Sequence, residues 1–252
     1  MKPLILLSND DGLNSAGFRA LIQAARPFGD LLAVVPDGDR SGMSTAFTVK
    51  TPLSLNKVSE EPGLTVYTSN GTPVDCVKIG VNLLGKERRP DLVLSGINHG
   101  FNGSVAVHYS GTMGVTLEGC MSGIPSIGFS LDCYAQDADF SPSLPWLQKI
   151  IAAVLENALP QGVCLNVNIP LGPVKGIRPC RQANGHWVET LLPCQHPYRT
   201  DIYWLTGYFV DQEPADACDH DGYWMKQGYI TVVPQQLDMT CRPLLEEMKN
   251  WF

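Results

Sequence analysis

The sequence lacks the long apolar segment that a membrane-spanning helix requires. None of its apolar runs approaches about 18 residues, the shortest length that suggests such a helix. The first three residues lead directly into an apolar strand, without the apolar stretch and cleavage site of a secretory signal. We therefore expect a cytoplasmic protein with no membrane partner.

Basic charge is also scarce. The 252 residues contain 18 lysines and arginines against 25 aspartates and glutamates, which gives a formal net charge of −7. A protein that wraps a nucleic-acid polymer needs a basic surface, so we expect no such partner. A small phosphorylated substrate remains compatible with this charge if a bound metal ion supplies positive charge locally.

The patterns typical of zinc sites are missing. The eight cysteines contain no C-x-x-C pair, and the five histidines contain no H-E-x-x-H motif. A disulfide framework is not expected in a chain of this size without a secretion signal, so most of the cysteines are predicted to be small core residues.

Apolar strands alternate with helical patterns through the first two thirds of the chain. Strands are predicted at residues 4–7, 31–35, 92–94, 126–131 and 163–169, with helices at 16–26, from Thr72, after Thr112 and around 147–155. This alternation is typical of βαβ units. The fold class predicted is α/β, with a mostly parallel sheet covered by helices on both faces.

The helix predicted from Thr72 has a clear start signal. Thr72 is placed as the N-cap, Pro73 occupies the first turn, and Asp75 is positioned to bond back to the cap. Asp75 is therefore interpreted as a capping residue in preference to a ligand.

The pattern changes after about residue 170. Segments rich in tryptophan and tyrosine follow at 186–188, 203–205 and 229–233, and a last short helix is expected to end at Phe252. We predict a catalytic domain over 1–175 and an extension over 176–252 within one structural unit. Because isolated hairpins are only marginally stable, the extension is expected to pack on a partner subunit.

The first strand stops at two adjacent carboxylates, Asp10 and Asp11, followed by Gly12. Ligands of parallel sheets bind beyond the carboxyl ends of the strands, so both side chains are candidates for chemistry. Adjacent carboxylates repel each other, and a divalent cation is the usual compensation. The alternative interpretation is a plain Asp-Gly turn.

Two further loops carry oxygen ligands after apolar strands. Ser41 lies in the loop after the second strand, and Asn98 follows the third. If the sheet is parallel, these residues converge with the aspartates at one edge, and such an all-oxygen set suits Mg²⁺ or Mn²⁺ better than zinc.

An anion site is predicted beside this metal site. Ser110, Gly111 and Thr112 precede or open a helix, where unpaired backbone N–H groups and two hydroxyls favour a phosphate. A metal beside an anion pocket is the arrangement of a centre that transfers or hydrolyses phosphate.

Several motifs, in order along nearly the whole chain, resemble those of the SurE (survival protein E) family of metal-dependent nucleotidases. The motifs are Ser8–Gly12, Pro36-Asp37 with Arg40–Gly42, Gly71–Pro73 with Asp75–Val77, Ser95–Asn98 with Gly100 and Asn102, Tyr109–Thr112 with Glu118-Gly119, Leu165–Asn168, and Gly228-Tyr229 with Pro234. The resemblance implies a Rossmann-like domain, one divalent metal per subunit and hydrolysis of nucleoside monophosphates.

The resemblance also implies roles for individual residues. Metal ligands fall on Asp10, Asp11, Ser41 and Asn98, and phosphate contacts fall on Asn98, Ser110, Gly111 and Thr112. A further implication is a C-terminal hairpin arm exchanged between subunits, which predicts a homodimer or a homotetramer.

One segment departs from the family pattern. Between Asn102 and Tyr109 the family usually has acidic residues, whereas this chain has Gly-Ser-Val-Ala-Val-His. The change alters the charge expected near the anion pocket. His108 is interpreted either as a phosphate contact or as a solvated or packed histidine, the second reading being favoured.

Other side chains carry two readings. Arg40 either steadies a phosphate or forms a surface ion pair, and His99 either lines the site or lies at a variable rim. The tryptophans at 187, 204 and 224 either stack on a base or, as we favour, lie in a subunit contact.

The predicted reaction is hydrolysis of nucleoside 5′-monophosphates, with 3′-monophosphates and short polyphosphate as further substrates. One of the two aspartates orients or deprotonates the attacking water. A covalent aspartyl-phosphatase with Asp10 as nucleophile is an alternative, although such enzymes separate their two aspartates by one residue. A nucleotide-binding module without turnover is the second alternative, and the chain lacks its glycine fingerprint.

Overall fold

The computed structural model describes residues 2–135 and 137–252. Its strands are β1 (Leu4–Ser8), β2 (Asp30–Pro36), β3 (Leu55–Glu61), β4 (Leu64–Ser69), β5 (Leu92–His99), β6 (Ser126–Leu131), β7 (Val163–Ile169), β8 (Ile177–Pro179), β9 (Gly185–Pro193), β10 (Tyr203–Asp211) and β11 (Ile230–Gln236). Its α-helices are α1 (Ala16–Ala25), α2 (Pro73–Ile79), α3 (Gly111–Met121), α4 (Leu144–Asn157), α5 (Asp221–Lys226) and α6 (Arg242–Met248).

Nine strands form one sheet in the order β3-β4-β2-β1-β5-β6-β7-β11-β8. β4, β2, β1, β5, β6 and β7 run parallel, whereas β3 pairs antiparallel with β4 and β11 pairs antiparallel with β7. The prediction of an α/β fold with a mostly parallel sheet is confirmed. Since β1 and β5 are central neighbours, the residues that follow them lie side by side at one edge.

Each face of the sheet carries its own core, as the alternation along β1 requires. Ile5 and Leu7 pack with α1 and α4 on one face. Leu6 packs with α2 and α3 on the other. The helices therefore cover both faces of the sheet, and the predicted site residues lie at the carboxyl edge of its parallel strands.

The start of α2 confirms the capping prediction. Thr72 Oγ1 accepts a hydrogen bond from the backbone N–H of Asp75 at 3.1 Å, and Asp75 Oδ2 accepts one from the backbone N–H of Thr72 at 2.9 Å. Asp75 also accepts from the Thr48 hydroxyl at 2.6 Å, so the same carboxylate ties the preceding loop to the helix. Past Ile79 the helix widens into a π turn over Gly80–Leu84.

Two predicted boundaries need correction, and one pair of strands has no counterpart in the sequence prediction. The third strand, predicted to end at residue 94, continues to His99 through an irregularity between Ser95 and Asn98, so Asn98 lies within β5. The hairpin of β3 and β4 was not predicted, because its outer strand is polar and almost entirely exposed. The last helix ends at Met248 and not at Phe252.

The extension contributes to the main sheet as well as forming a hairpin. The segment 229–233, predicted as one of the hairpin-like pieces, belongs to β11, which pairs with β7 and β8 in the nine-stranded sheet. β9 and β10 form the separate antiparallel hairpin that the sequence predicts. The division of the chain at residue 175 stays a prediction.

Within the described residues, the search for a helix long and apolar enough to cross a membrane finds none.

Candidate active site

The turn after β1 is fixed by Asn9. Its side chain accepts a hydrogen bond from the Gly12 N–H at 3.2 Å and donates one to the Gly12 carbonyl at 2.9 Å. Gly12 has a φ of +82°, a backbone conformation that glycine adopts without strain. This bracing holds Asp10 and Asp11 at the carboxyl end of the central strand.

Asp10 is buried against the first turn of α3. Asp10 is only 3 % exposed, and its Oδ1 accepts a hydrogen bond from the Thr112 hydroxyl at 2.6 Å. A Cβ atom at position 111 would lie 2.7 Å from Asp10 Oδ2, so only glycine permits this approach. Burial raises the pKa of Asp10 despite the hydrogen bond from Thr112.

Asp11 carries an uncompensated buried oxygen. Its Oδ2 is buried without a hydrogen-bond partner among the described residues. Burial, together with the negative charges of Asp10 and Asp39, raises the pKa of Asp11 to about 7. An orphaned carboxylate oxygen beside a second carboxylate is the donor chemistry that a hard divalent cation satisfies, so the residues fit such an ion.

Ser41 reaches this edge on the loop after β2. The loop is tied to the first turn by the Arg40 N–H, which donates to the Asp10 carbonyl at 2.7 Å. The Ser41 hydroxyl donates to Asp39 Oδ1 at 2.7 Å, and this bond lowers the pKa of Asp39. Arg40 forms an ion pair with Asp37 at 2.9 Å, which is the surface ion-pair alternative. Asp39 was not singled out in the sequence, because no local pattern distinguishes it from an ordinary loop aspartate.

Asn98 presents its side-chain oxygen to the same edge. Its Nδ2 donates to the backbone carbonyls of His99 and Gly100, each at 3.0 Å. These bonds fix the orientation of the amide and use the nitrogen, so Oδ1 is the atom that remains for a ligand.

Helix α3 begins next to Asp10, at the predicted phosphate site. The Ser110 hydroxyl accepts from the Met113 N–H at 3.1 Å and caps the helix. The N–H groups of Gly111 and Thr112 lie in the first turn, where backbone donors have no partner within the helix. This is the geometry of an anion site.

Four of the seven predicted residues line one open pocket of about 490 Å³. They are Asp10, Ser41, Asn98 and Ser110. Gly111 and Thr112 lie directly behind Asp10. Among the described residues no group of three or more His, Cys, Asp and Glu side chains is arranged for a metal, so a cation here would depend on the Ser41 and Asn98 oxygens as well.

Asn102 also lines the pocket and was not proposed as a site residue. Its Nδ2 donates to Ser130 Oγ at 3.0 Å, and its backbone N–H donates to Asn168 Oδ1 at 2.8 Å. Asn166 Nδ2 donates to the Asn102 carbonyl at 2.8 Å. The sequence signal for this position was the pair Asn166 and Asn168 on β7, because buried amides at a strand end require hydrogen-bond partners.

The outer wall of the pocket comes from the β9–β10 hairpin. Trp187, Glu189, Leu205, Thr206 and Gly207 line it together with Asp10. The sequence favours a subunit contact over base stacking for the tryptophans of this hairpin, because the pairing that turns one face toward the site is not visible in a single strand.

The remaining aromatic and histidine candidates separate into different places. His99 lines the pocket and packs edge-on against Phe140 at 4.9 Å. His108 lies in another pocket with Met121 and Gln235, so the structure does not bring it to the predicted phosphate site. Trp224 packs edge-on against Tyr223 and Tyr229, away from the pocket.

Comparison with known proteins agrees with this geometry. The family model described as survival protein SurE matches residues 5–189. The chain belongs to the SurE family. Among SurE relatives, 5′-nucleotidase SurE of Phocaeicola vulgatus is 51 % identical over 99 % of this chain and 97 % of its own, and that of Bacteroides fragilis is 45 % identical over 99 % and 98 %.

A solved SurE structure shares the fold. The crystal structure of the SurE protein from Aquifex aeolicus superimposes with a TM-score of 0.82 at 34 % identity, covering 99 % of both chains. The SurE resemblance seen in the sequence is thereby confirmed, and it extends beyond the parallel sheet to the hairpin and the C-terminal helix.

Proposed function

We propose that this SurE family member is a phosphomonoesterase that hydrolyses nucleoside 5′-monophosphates to nucleoside and inorganic phosphate. The observation that carries the proposal is the contact of Asp10 with the start of α3. It places a carboxylate that lines the pocket beside a helix N-terminus, with Asp11 next to it in the chain. Relatives that match nearly the full chain are named 5′-nucleotidases, which supports this reaction.

A single divalent cation, Mg²⁺ or Mn²⁺, fits the carboxylate pair. Asp10, Asp11, Ser41 and Asn98 would hold it, since the orphaned Asp11 oxygen and the oriented Asn98 amide both present oxygen. When bound, such an ion neutralises phosphoryl charge and lowers the pKa of water.

The chain's own groups divide the remaining work. Asp10 lines the pocket with Oδ1 fixed by Thr112, so Oδ2 is placed to orient the attacking water and to accept its proton. The N–H groups of Gly111 and Thr112, together with Ser110 and Asn98, hold the non-bridging phosphate oxygens as charge develops in the transition state. The Thr112 hydroxyl acts differently, through its bond to Asp10.

A homodimer, or a homotetramer built from dimers, belongs to the same proposal. The outer face of the hairpin exposes Leu192, Trp204 and Tyr208. In the pairing register Leu192 lies opposite Trp204, and Tyr208 lies opposite Val188. An exposed apolar face of this kind favours burial against a second copy. A cytoplasmic location is also proposed, because all eight cysteines are free thiols, as expected in a reducing compartment.

The test is phosphate release from a panel of nucleotides by the full chain. The panel contains 5′- and 3′-nucleoside monophosphates and short polyphosphate, each assayed with Mg²⁺ and with Mn²⁺. We expect release from 5′-monophosphates, with 3′-monophosphates and polyphosphate as secondary substrates. Binding without release would support the non-catalytic module, and a phosphorylated Asp10 trapped on denaturation would support the covalent alternative.

A further inference from the structure

The hairpin closes the pocket with a surface whose chemistry differs from that of the phosphate end. We call this surface the hairpin wall and define it by Trp187, Glu189, Leu205 and Gly207. Asp10, Ser110 and Asn98, from the ends of β1 and β5 and the start of α3, line the same pocket. A nucleotide has the same division, with a charged phosphate at one end and a flat apolar base at the other.

The pairing register places these side chains on one face of the hairpin. Trp187 pairs with Phe209, Glu189 with Gly207, and Leu191 with Leu205. Paired residues of an antiparallel ladder project to the same side, and every second pair shares that side. Trp187, Glu189 and Leu205 therefore project together into the pocket.

Gly207 leaves a gap beside Glu189. Position 207 cannot accept a side chain without a backbone shift, because a Cβ atom there would lie 2.4 Å from the Val188 carbonyl oxygen. The position opposite Glu189 on the neighbouring strand therefore carries no side chain. We call the resulting gap the slot; Trp187 and Leu205 flank it along the hairpin.

The walls of the slot suit a planar base. Trp187 is held edge-on against Phe209 with ring centroids 6.0 Å apart, and 43 % of the residue remains exposed. Leu205 is 66 % exposed on the other side. Aromatic faces stack on every nucleobase, so Trp187 supplies affinity without choosing among bases.

Glu189 supplies the choice. Glu189 lines the pocket, and its carboxylate forms no salt bridge within the described part of the chain, so no cationic side chain there pairs with it. A carboxylate offers only acceptors and prefers two adjacent donors. Guanine presents N1–H and the 2-amino group side by side, whereas adenine presents one donor next to an acceptor.

We propose that the hairpin wall is a nucleobase slot in which Glu189 selects guanine, so that guanosine monophosphates are the preferred nucleotides. This inference rests on the proposed nucleotidase function, and it adds the base that the pocket reads. Glu189 acts on specificity and takes no part in phosphate cleavage.

The test compares GMP, IMP and AMP on the full-length protein and on Glu189→Gln. IMP keeps N1–H but lacks the 2-amino group, so it separates the two hydrogen bonds. We expect kcat/KM to fall in the order GMP, IMP, AMP, with GMP exceeding AMP by about tenfold, the scale of one charge-assisted hydrogen bond.

The Glu189→Gln variant is expected to change kcat/KM in opposite directions for GMP and AMP. A glutamine presents one donor and one acceptor, which match adenine, so Glu189→Gln is expected to lower kcat/KM for GMP about tenfold and to raise it for AMP. Glu156→Gln removes a carboxylate from the exposed side of α4 and serves as the matched control, with an unchanged GMP to AMP ratio.

Isothermal titration with GMP and AMP measures binding without hydrolysis, so it tests the guanine assignment separately from the nucleotidase function. Equal kcat/KM for GMP and AMP, or a ratio that Glu189→Gln leaves unchanged, overturns the guanine assignment while the nucleotidase function stands. If no nucleotide is hydrolysed, the function fails, and the ratio of Kd values for GMP and AMP still decides the slot. A ratio near one there contradicts the assignment, and a ratio near ten supports it.

Discussion

At the scale of single residues, the two adjacent aspartates have different environments. Asp10 has a hydrogen-bond donor in Thr112, whereas Asp11 holds a buried oxygen without one. The sequence could not distinguish them, because the donor comes from a helix 102 residues away along the chain. This difference makes separate predictions for the two residues.

For Asp11, the substitution Asp11→Asn keeps the shape and removes the charge. We expect turnover of a nucleoside 5′-monophosphate to fall at least about a hundredfold, the scale typical of losing a metal ligand or a supporting residue. Steady-state phosphate release with saturating Mn²⁺ measures it. Near-normal turnover would favour a plain Asp-Gly turn.

The same substitution has a pH-dependent effect on the metal-free protein. The folded pKa of Asp11 is raised from 3.8 to about 7, so the folded state binds this proton more tightly than the unfolded state. The associated stability is present at low pH and is lost as pH rises through about 7. In chelator, Asp11→Asn should therefore melt above the wild type by a clearly larger margin at pH 8 than at pH 5, by differential scanning calorimetry. A wild type that melts higher than the variant at pH 8 would contradict the assignment of a repelled, buried charge.

Thr112 is predicted to act through Asp10. Thr112→Val removes the hydroxyl that donates to Asp10 Oδ1 and preserves the volume of the side chain. We expect kcat to fall about ten- to a hundredfold, as for other residues that orient a ligand, with a smaller change in KM. Thr112→Ser retains a donor and should recover most of the activity. Equal loss in both variants would show that packing, and not the hydrogen bond, is responsible.

At the scale of elements, α2 shows how far local sequence determines structure. The Thr-Pro-x-Asp start was readable from the chain and forms the capping box that it predicts. The additional bonds from Thr48 to Asp75 were not readable, because they join the cap to a loop 27 residues earlier.

Asp75→Ala tests this element. It removes the bond to the Thr72 N–H and those from Thr48. We expect the free energy of unfolding in denaturant to fall by about 1–2 kcal/mol, the upper range for loss of a helix cap. The folded variant should keep phosphate release within about twofold, since Asp75 is not among the residues that line the pocket. A loss of activity without a loss of stability would instead indicate a ligand role.

The β5 strand shows the opposite case. Its apolar run ends at residue 94, yet the strand continues to His99 because its polar end pairs with β6. Asn98 therefore reaches the site from a strand and not from a loop. Periodicity identifies the buried part of such a strand but not its polar end, which here carries the candidate ligand Asn98.

At the scale of the whole molecule, the alternating pattern was enough to predict the parallel sheet and its two covered faces. The nine-strand order was not predictable, because β11 returns to pair with β7 after a long excursion through the hairpin. Of the hairpin wall, only Trp187 is a candidate for base contact from the sequence, because the contribution of the other residues to the pocket depends on tertiary placement. Residues before 175 and after 176 thus form one sheet, and large C-terminal deletions would remove β11.

Assembly can be tested without disturbing that sheet. Gly185 and Asp211 are paired in register, so a short Gly-Ser link can replace residues 186–210 between them. We expect the intact chain to be a dimer or tetramer by light scattering, and the shortened chain to be a folded monomer with weak activity. A shortened chain that stays dimeric would place the subunit contact elsewhere.

The pocket between β1, β5 and α3 is proposed to hydrolyse nucleoside monophosphates with a divalent cation. The most direct measurement is phosphate release from a 5′-monophosphate by wild type, Asp10→Asn and Asp11→Asn after chelator treatment, followed by titration with Mn²⁺. We expect the chelated wild type to be inactive, Mn²⁺ to restore it, and neither variant to recover more than about one hundredth of its turnover. Full activity of the wild type in excess chelator would show that the pocket works without a divalent cation.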